Sequence, residues 1–206
     1  MDLTGAQHPY GVRFEWGPTG GLTIAQDADV VVVVDVISGS TAVVGTLVAD
    51  ATHPVPLVDE TGFGPLVGAL DEVATTVVVG CLRNAQAVAD WLAREHDPES
   101  TVVAVVAVGE TWPDGTLRPA AEDLWGAGAI LAALEDLDWA GLSPEAAVAA
   151  DAYRLIVGRE QSHLLASSTG EAFRARGESG IVADAAEISV DSVVPILSSR
   201  GFVPAP

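Results

Sequence analysis

The chain has 206 residues, 49% of them hydrophobic, and a formal net charge of -20 at pH 7. Its nine basic residues are all arginine, which rules out Schiff-base and P-loop lysine chemistry. That length suits one domain, residues 1–206, with a large core, and the acidic balance argues against nucleic acid or an anionic membrane as partner.

The one cysteine, Cys81, excludes an internal disulfide and a cysteine-based zinc cage. No apolar run reaches the roughly 18 to 20 residues of a membrane span. The start, Met1-Asp2-Leu3-Thr4, is not basic and leads into no signal-peptide core. The expectation is a soluble, cytoplasmic protein with no membrane partner.

Val12 to Trp16 alternates like a strand, and Gly17-Pro18-Thr19-Gly20-Gly21 reads as a loop. Five valines, Val30 to Val34, then run into Asp35. A continuous β-branched run predicts a strand buried on both faces, central in a parallel sheet. The Ser38-Gly39-Ser40-Thr41 turn follows, and Ser40 to Leu47 is expected to be the crossover helix. His53 to Asp59, with two prolines, suggests an edge strand. Thr61 to Pro65 reads as a turn and Leu66 to Val73 as a short helix.

A second valine-rich strand spans Thr75 to Gly80 and ends in Cys81-Leu82-Arg83-Asn84. Ala85 to Glu95 is a predicted helix with Asn84 as N-cap and Ala85, Val88, Ala89 and Leu92 as its apolar stripe. Thr101 to Val108 is a third buried strand, followed by Gly109-Glu110 and a loop to Pro119. Ala120 to Leu137 is the strongest helix and carries Glu122 and Asp123 in its first turn. Ser143-Pro144 starts another helix by cap and N1 proline. A helix over Glu160 to Ala175, kinked near Ser167 to Gly170, a helical turn at Ala183 to Glu187 and a strand at Ser192 to Leu197 complete the chain. The alternation implies an α/β fold, three layers α/β/α, with a mostly parallel or mixed central sheet.

In open α/β sheets ligands sit at the carboxyl ends of strands. Asp35, Cys81 to Asn84, and Gly109-Glu110 lie at three such ends, with Glu122 and Asp123 at the helix start after the third. Two or three acid oxygens there would hold Mg²⁺ and leave room for water and a phosphate oxygen. Arg83 would pair with the anion, and Ser40 and Thr41 at a helix start would bind remaining oxygens. Each residue also has a plain reading. Asp35 caps a helix, Glu122 and Asp123 complement a helix dipole, Asn84 is an N-cap, Arg83 makes an ion pair, and Cys81 is a buried small hydrophobe. The four histidines show no ligand spacing.

Three segments resemble the 2-phosphosulfolactate phosphatase (ComB-like) family. They are Val31 to Val43, Gly80-Cys81-Leu82-Arg83-Asn84-Ala85-Gln86-Ala87-Val88, and the long stretch from Val108 through Gly109-Glu110-Thr111-Trp112 to Ala129. The resemblance implies a Mg²⁺-dependent phosphatase acting on a small phosphorylated hydroxy acid, with an α/β/α fold and a homodimer. It implies catalytic roles for Asp35, Glu122, Asp123 and Asn84, and metal ligation by Asp35, Glu122 and Glu110. Substrate contacts are expected from Ser38, Ser40, Thr41, Arg83 and Arg118, of which the resemblance matches Ser40 and Thr41. Two departures stand out: Ser38 occupies a position where many members carry arginine, and Asp50 to Thr75 is short and lacks an Asn-Gly-Ser or Asn-Gly-Thr turn. Beside the phosphatase stand two alternatives. One is a repurposed relative that binds a small anionic metabolite and catalyses a lyase or cyclase step, and the other is a non-catalytic binding protein.

Overall fold

The computed structural model describes residues 5–57, 62–139 and 141–206. The valine run forms β2 (Val30–Val34), every residue of it buried. Because side chains alternate along a strand, Val30, Val32 and Val34 enter one core while Val31 and Val33 enter another. A strand covered on both sides needs no polar face, which is why the run can be unbroken.

β2 lies between β3 (Thr76–Gly80) and β4 (Val103–Ala107), parallel to both, and β4 also pairs in parallel with β1 (Val12–Trp16). Two antiparallel strands, β7 (Pro195–Ser198) and β8 (Gly201–Pro204), extend the sheet beyond β3. The order is β1-β4-β2-β3-β7-β8, a mixed sheet. A separate ribbon pairs β5 (Glu110–Thr111) with β6 (Leu117–Arg118).

One face carries α1 (Gly17–Ile24), α2 (Gly39–Ala49) and α3 (Phe63–Asp71), packed through Ile24, Leu47, Leu66 and Leu70. The other carries α4 (Ala85–Glu95), α5 (Ala121–Asp136) and α6 (Pro144–Arg154), with Leu92, Ile130, Leu134 and Ala149 in its core. Buried residues of α7 (Glu160–Ala166) and α9 (Ser179–Ala185) join that second core, and α8 (Ser168–Ala175) links them. The architecture is therefore the expected three-layer α/β/α. Among the described residues no helix is long and apolar enough to cross a membrane.

Several local expectations change. The glycine-rich segment after β1 is helix α1, not a loop. Its glycines serve close packing: a Cβ on Gly21 would lie 2.7 Å from Val106 Cγ1 of β4. The predicted edge strand reduces to a single bridge, Val55 to Phe202, among the described residues, and Asp59 lies outside them. Helix α3 starts at Phe63, inside the predicted turn, whose Thr61 is outside the described residues. The loop after β4 folds into the β5–β6 ribbon. The helix over Glu160 to Ala175 breaks at Ser167, whose hydroxyl oxygen accepts the Gly170 N–H and caps α8.

Candidate functional site

β2 and β4 are neighbours, but the chain leaves them in different directions. β2 leads into α2 on one face and β4 leads through the ribbon into α5 on the other. A crevice at the carboxyl ends results. Asp35 stands there, one residue beyond β2 and 9% exposed. Its Oδ1 accepts the Ser38 hydroxyl at 2.7 Å, and its carboxylate faces the N–H groups of Ser38 and Gly39 at the start of α2. Burial raises its pKa, these hydrogen bonds oppose the rise, and the charge of Glu110 adds to it. Gly39 makes this approach possible, since a Cβ there would meet the Phe63 ring at 2.5 Å and Asp35 Oδ2 at 2.9 Å. The N-cap position of α2 is Ser38, not Asp35, and Asp35 lies beside that helix start while lining the crevice.

The first turn of α5 supplies the opposite wall. Asp123 is buried, and its two oxygens accept the N–H of Val36 at 2.8 Å and of Gly109 at 2.9 Å. Burial, then the charge of Asp35, pushes its pKa well above the usual carboxylate range. Glu122 is 3% exposed and lines the cavity, and its carboxylate has no hydrogen-bond partner among the described residues. Glu110, at the start of β5, accepts the Thr169 hydroxyl at 2.8 Å and lies 3.5 Å from Arg118.

These groups surround a cavity of about 270 Å³ with Ser38, Thr111 and Thr169 hydroxyls in its wall. Four carboxylates, Asp35, Glu110, Glu122 and Asp123, line it, and none of its described lining residues is basic. Among the described residues no group of three or more His, Cys, Asp or Glu side chains is placed to hold a metal ion, so the expected set of Asp35, Glu122 and Glu110 does not converge. A divalent cation here would hold one or two carboxylates and complete its shell with water or substrate oxygen.

The third strand end turns elsewhere. Asn84 is fully buried, its Oδ1 accepts the Cys81 N–H at 2.8 Å, and its amide donates to the carbonyls of Val79 and Val193. All of its capacity goes into joining the end of β3 to the segment before β7. Arg83 donates through Nε to Asp191 Oδ2 at 2.7 Å, and through Nη1 to Glu187 and to the Asp184 carbonyl. Neither Asn84 nor Arg83 is among the residues lining the acidic cavity.

Ser40 is buried, accepting the Asp35 N–H at 2.8 Å and donating to the Val33 carbonyl. Thr41 donates to the Val36 carbonyl at 2.6 Å. Both secure the turn rather than face the acidic cavity. Arg118 rests over the Trp112 ring, 5.4 Å from its centroid, and reaches the site through Glu110. Burial pushes the Cys81 thiol up, in keeping with a small core residue.

The sequence reading did not single out Thr169 or Thr111, both of which line the cavity, as does Gly62 from the segment that could stand in for the absent Asn-Gly turn. Thr169 arrives from α8, far along the chain, and no spacing rule could reveal it. Thr111, next to the acidic Glu110 at a strand end, carried a weak local signal.

A protein-family model described as 2-phosphosulpholactate phosphatase matches residues 66–200. The match takes in Glu110, Glu122, Asp123 and Thr169, whereas Asp35 and the Ser38 to Thr41 turn precede it. No curated protein matches the chain. The matched span covers more than half of the sequence, and the chain belongs to the 2-phosphosulpholactate phosphatase family.

Proposed function

We propose that this member of a phosphatase family is a Mg²⁺-dependent hydrolase of a small phosphorylated hydroxy acid. One observation carries the reading: Glu122, a buried residue whose carboxylate has no hydrogen-bond partner among the described residues, lines a cavity with three other acids and no basic residue in its described lining. A phosphate cannot approach such a wall unless a cation offsets the charge, because desolvated like charges repel strongly. All-oxygen, acidic surroundings suit a hard divalent ion. Asp35 and Glu122 are the proposed ligands. Glu110, which the sequence suggested as a third, is engaged by Thr169 and Arg118 and in this reading orients that arginine at the rim.

When bound, Mg²⁺ would polarise the phosphoryl group and stabilise the charge that develops on its oxygens. The residues of the chain prepare this. The Ser38 hydroxyl fixes the Asp35 carboxylate, Asp123 locks both strand ends, Thr169 holds Glu110, and Thr111 lines the cavity with a hydroxyl for the phosphate. In the net reaction a water oxygen bonds to phosphorus as the ester P–O bond breaks. The proton lost by water ends on the departing alkoxide, giving a hydroxy acid and inorganic phosphate.

Release of inorganic phosphate from 2-phosphorylated lactate and its sulfonate analogue, with Mg²⁺ and with chelator, tests the reading. Mg²⁺-dependent release that Glu122→Gln abolishes supports it. Equal release with chelator overturns it, as does the absence of release from these compounds and from their homologues with longer side chains.

A further inference from the structure

A second cavity of about 590 Å³ adjoins the acidic one, and Ile37 and Ser38 belong to both walls. Its character is opposite. Phe63 and Phe202, both buried with ring centroids 6.2 Å apart, are joined in its wall by Phe173 and Ile181 from the α8–α9 region. Asp184 is the one charged group among its described lining residues.

A phosphorylated three-carbon acid needs only the polar cavity and would leave the apolar one to water. Ligand sites commonly span about 300 to 1,000 Å³, mostly apolar with a few convergent polar groups. The two cavities together have that composition, and they meet at Ile37 and Ser38, which border both. We propose that the substrate carries an alkyl or aryl substituent on its phosphorylated carbon. The substituent lies against Phe63 and Phe202 while the phosphate occupies the acidic cavity. The inference rests on the phosphatase reading for the position of the phosphate. The apolar cavity sets substrate size through the usual gain from removing hydrocarbon from water.

The test uses a series of 2-phosphorylated 2-hydroxy acids whose side chain grows from methyl to hexyl, plus phenyl, with Mg²⁺. The expected rise in kcat/KM is about fourfold per added methylene until the cavity is full. Ala42, on the exposed surface of α2 and bordering the cavity, gives the control. Ala42→Trp should collapse the hexyl-to-methyl ratio by filling the space.

Calorimetry with the unphosphorylated acids of the same series, in Mg²⁺, reads binding without turnover. Affinity that climbs with chain length in the parent protein and is flat in Ala42→Trp supports the inference. Flat or undetectable binding in the parent protein overturns it, as does a length dependence that Ala42→Trp leaves intact. Length-dependent binding without phosphate release from any member would sink the hydrolase reading and keep the cavity assignment. A dimer that Ala42→Trp converts to monomer, without any length dependence, would give this face to a second copy and overturn the inference.

Discussion

Asp123 Oδ1 accepts the backbone N–H of Val36, 87 residues earlier in the chain, at 2.8 Å. Its Oδ2 accepts the Gly109 N–H at 2.9 Å. One side chain therefore ties the ends of β2 and β4 to the first turn of α5, which fixes the mouth of the crevice. Asp123→Ala would orphan two N–H groups and should cost about 2 to 6 kcal/mol, at roughly 1 to 3 per unsatisfied buried group. Denaturant unfolding measures this. Asp123→Asn keeps an acceptor oxygen for one of the two and should lose less.

The same acids predict an unusual pH dependence. Burial raises the native pKa values of Asp35 and Asp123 above the ordinary carboxylate range. The native state then binds more protons than the unfolded chain between the ordinary and raised values, so this contribution to stability falls as pH rises through that interval. In chelator, the Tm of the intact protein should drop from mildly acidic to neutral pH more steeply than that of Asp35→Asn. Parallel curves would contradict the shift.

Mg²⁺ should reverse that loss. A ligand that binds only the native state stabilises it by about 2.7 kcal/mol at a concentration 100 times its Kd. Thermal unfolding at neutral pH with added Mg²⁺ should show the gain, and Glu122→Gln should remove it. Because the Glu122 carboxylate makes no hydrogen bond within the described residues, that variant should fold as well as the parent in chelator. A variant that is destabilised yet still responds to Mg²⁺ would show that Glu122 is not a ligand.

The layers and the parallel core of the sheet were legible because long valine runs and helical periodicity are local signals. Asp35, Glu122 and Asp123 were found by their place at strand ends and a helix start, and they do line one cavity. What was not legible depends on where distant segments meet. Asn84 and Arg83 stand at an equally suggestive strand end, yet partners from residues 184 to 193 capture them. The glycines of α1 look like a loop until β4 lies against them. Thr169 joins the site only because the chain breaks at Ser167 and restarts as α8.

The placement of Arg83 yields its own test. Its partners are Asp191, Glu187 and a backbone carbonyl, with the side chain of Arg83 18% and that of Asp191 8% exposed. Arg83→Met should lower stability by about 1 to 3 kcal/mol, since it leaves a mostly buried carboxylate without its charged donor. KM for a phosphorylated acid should stay within about twofold of the parent, because the energy of any lost substrate contact would be well above that. A large rise in KM with unchanged stability would return Arg83 to the anion site.

Gly39 offers the sharpest link between backbone and chemistry. A Cβ at this position would sit 2.5 Å from the Phe63 ring and 2.9 Å from Asp35 Oδ2. Phe63 is buried, so the ring has little room to retreat and the carboxylate is the softer neighbour. Gly39→Ala should therefore push Asp35 off the start of α2, with an overpacking cost of about 1 to 3 kcal/mol. A displacement near 1 Å at a reacting centre costs on the order of 100-fold in rate. The expected result is a larger fall in kcat than Tm alone explains, together with a weaker Mg²⁺-induced rise in Tm. Gly45→Ala, on the exposed side of the same helix, would place its new Cβ with no described heavy atom within 4 Å. That variant should leave both at or above the parent values, since alanine favours the helix by about 1 kcal/mol. Equal behaviour of the two variants would separate Asp35 from the close contact at Gly39.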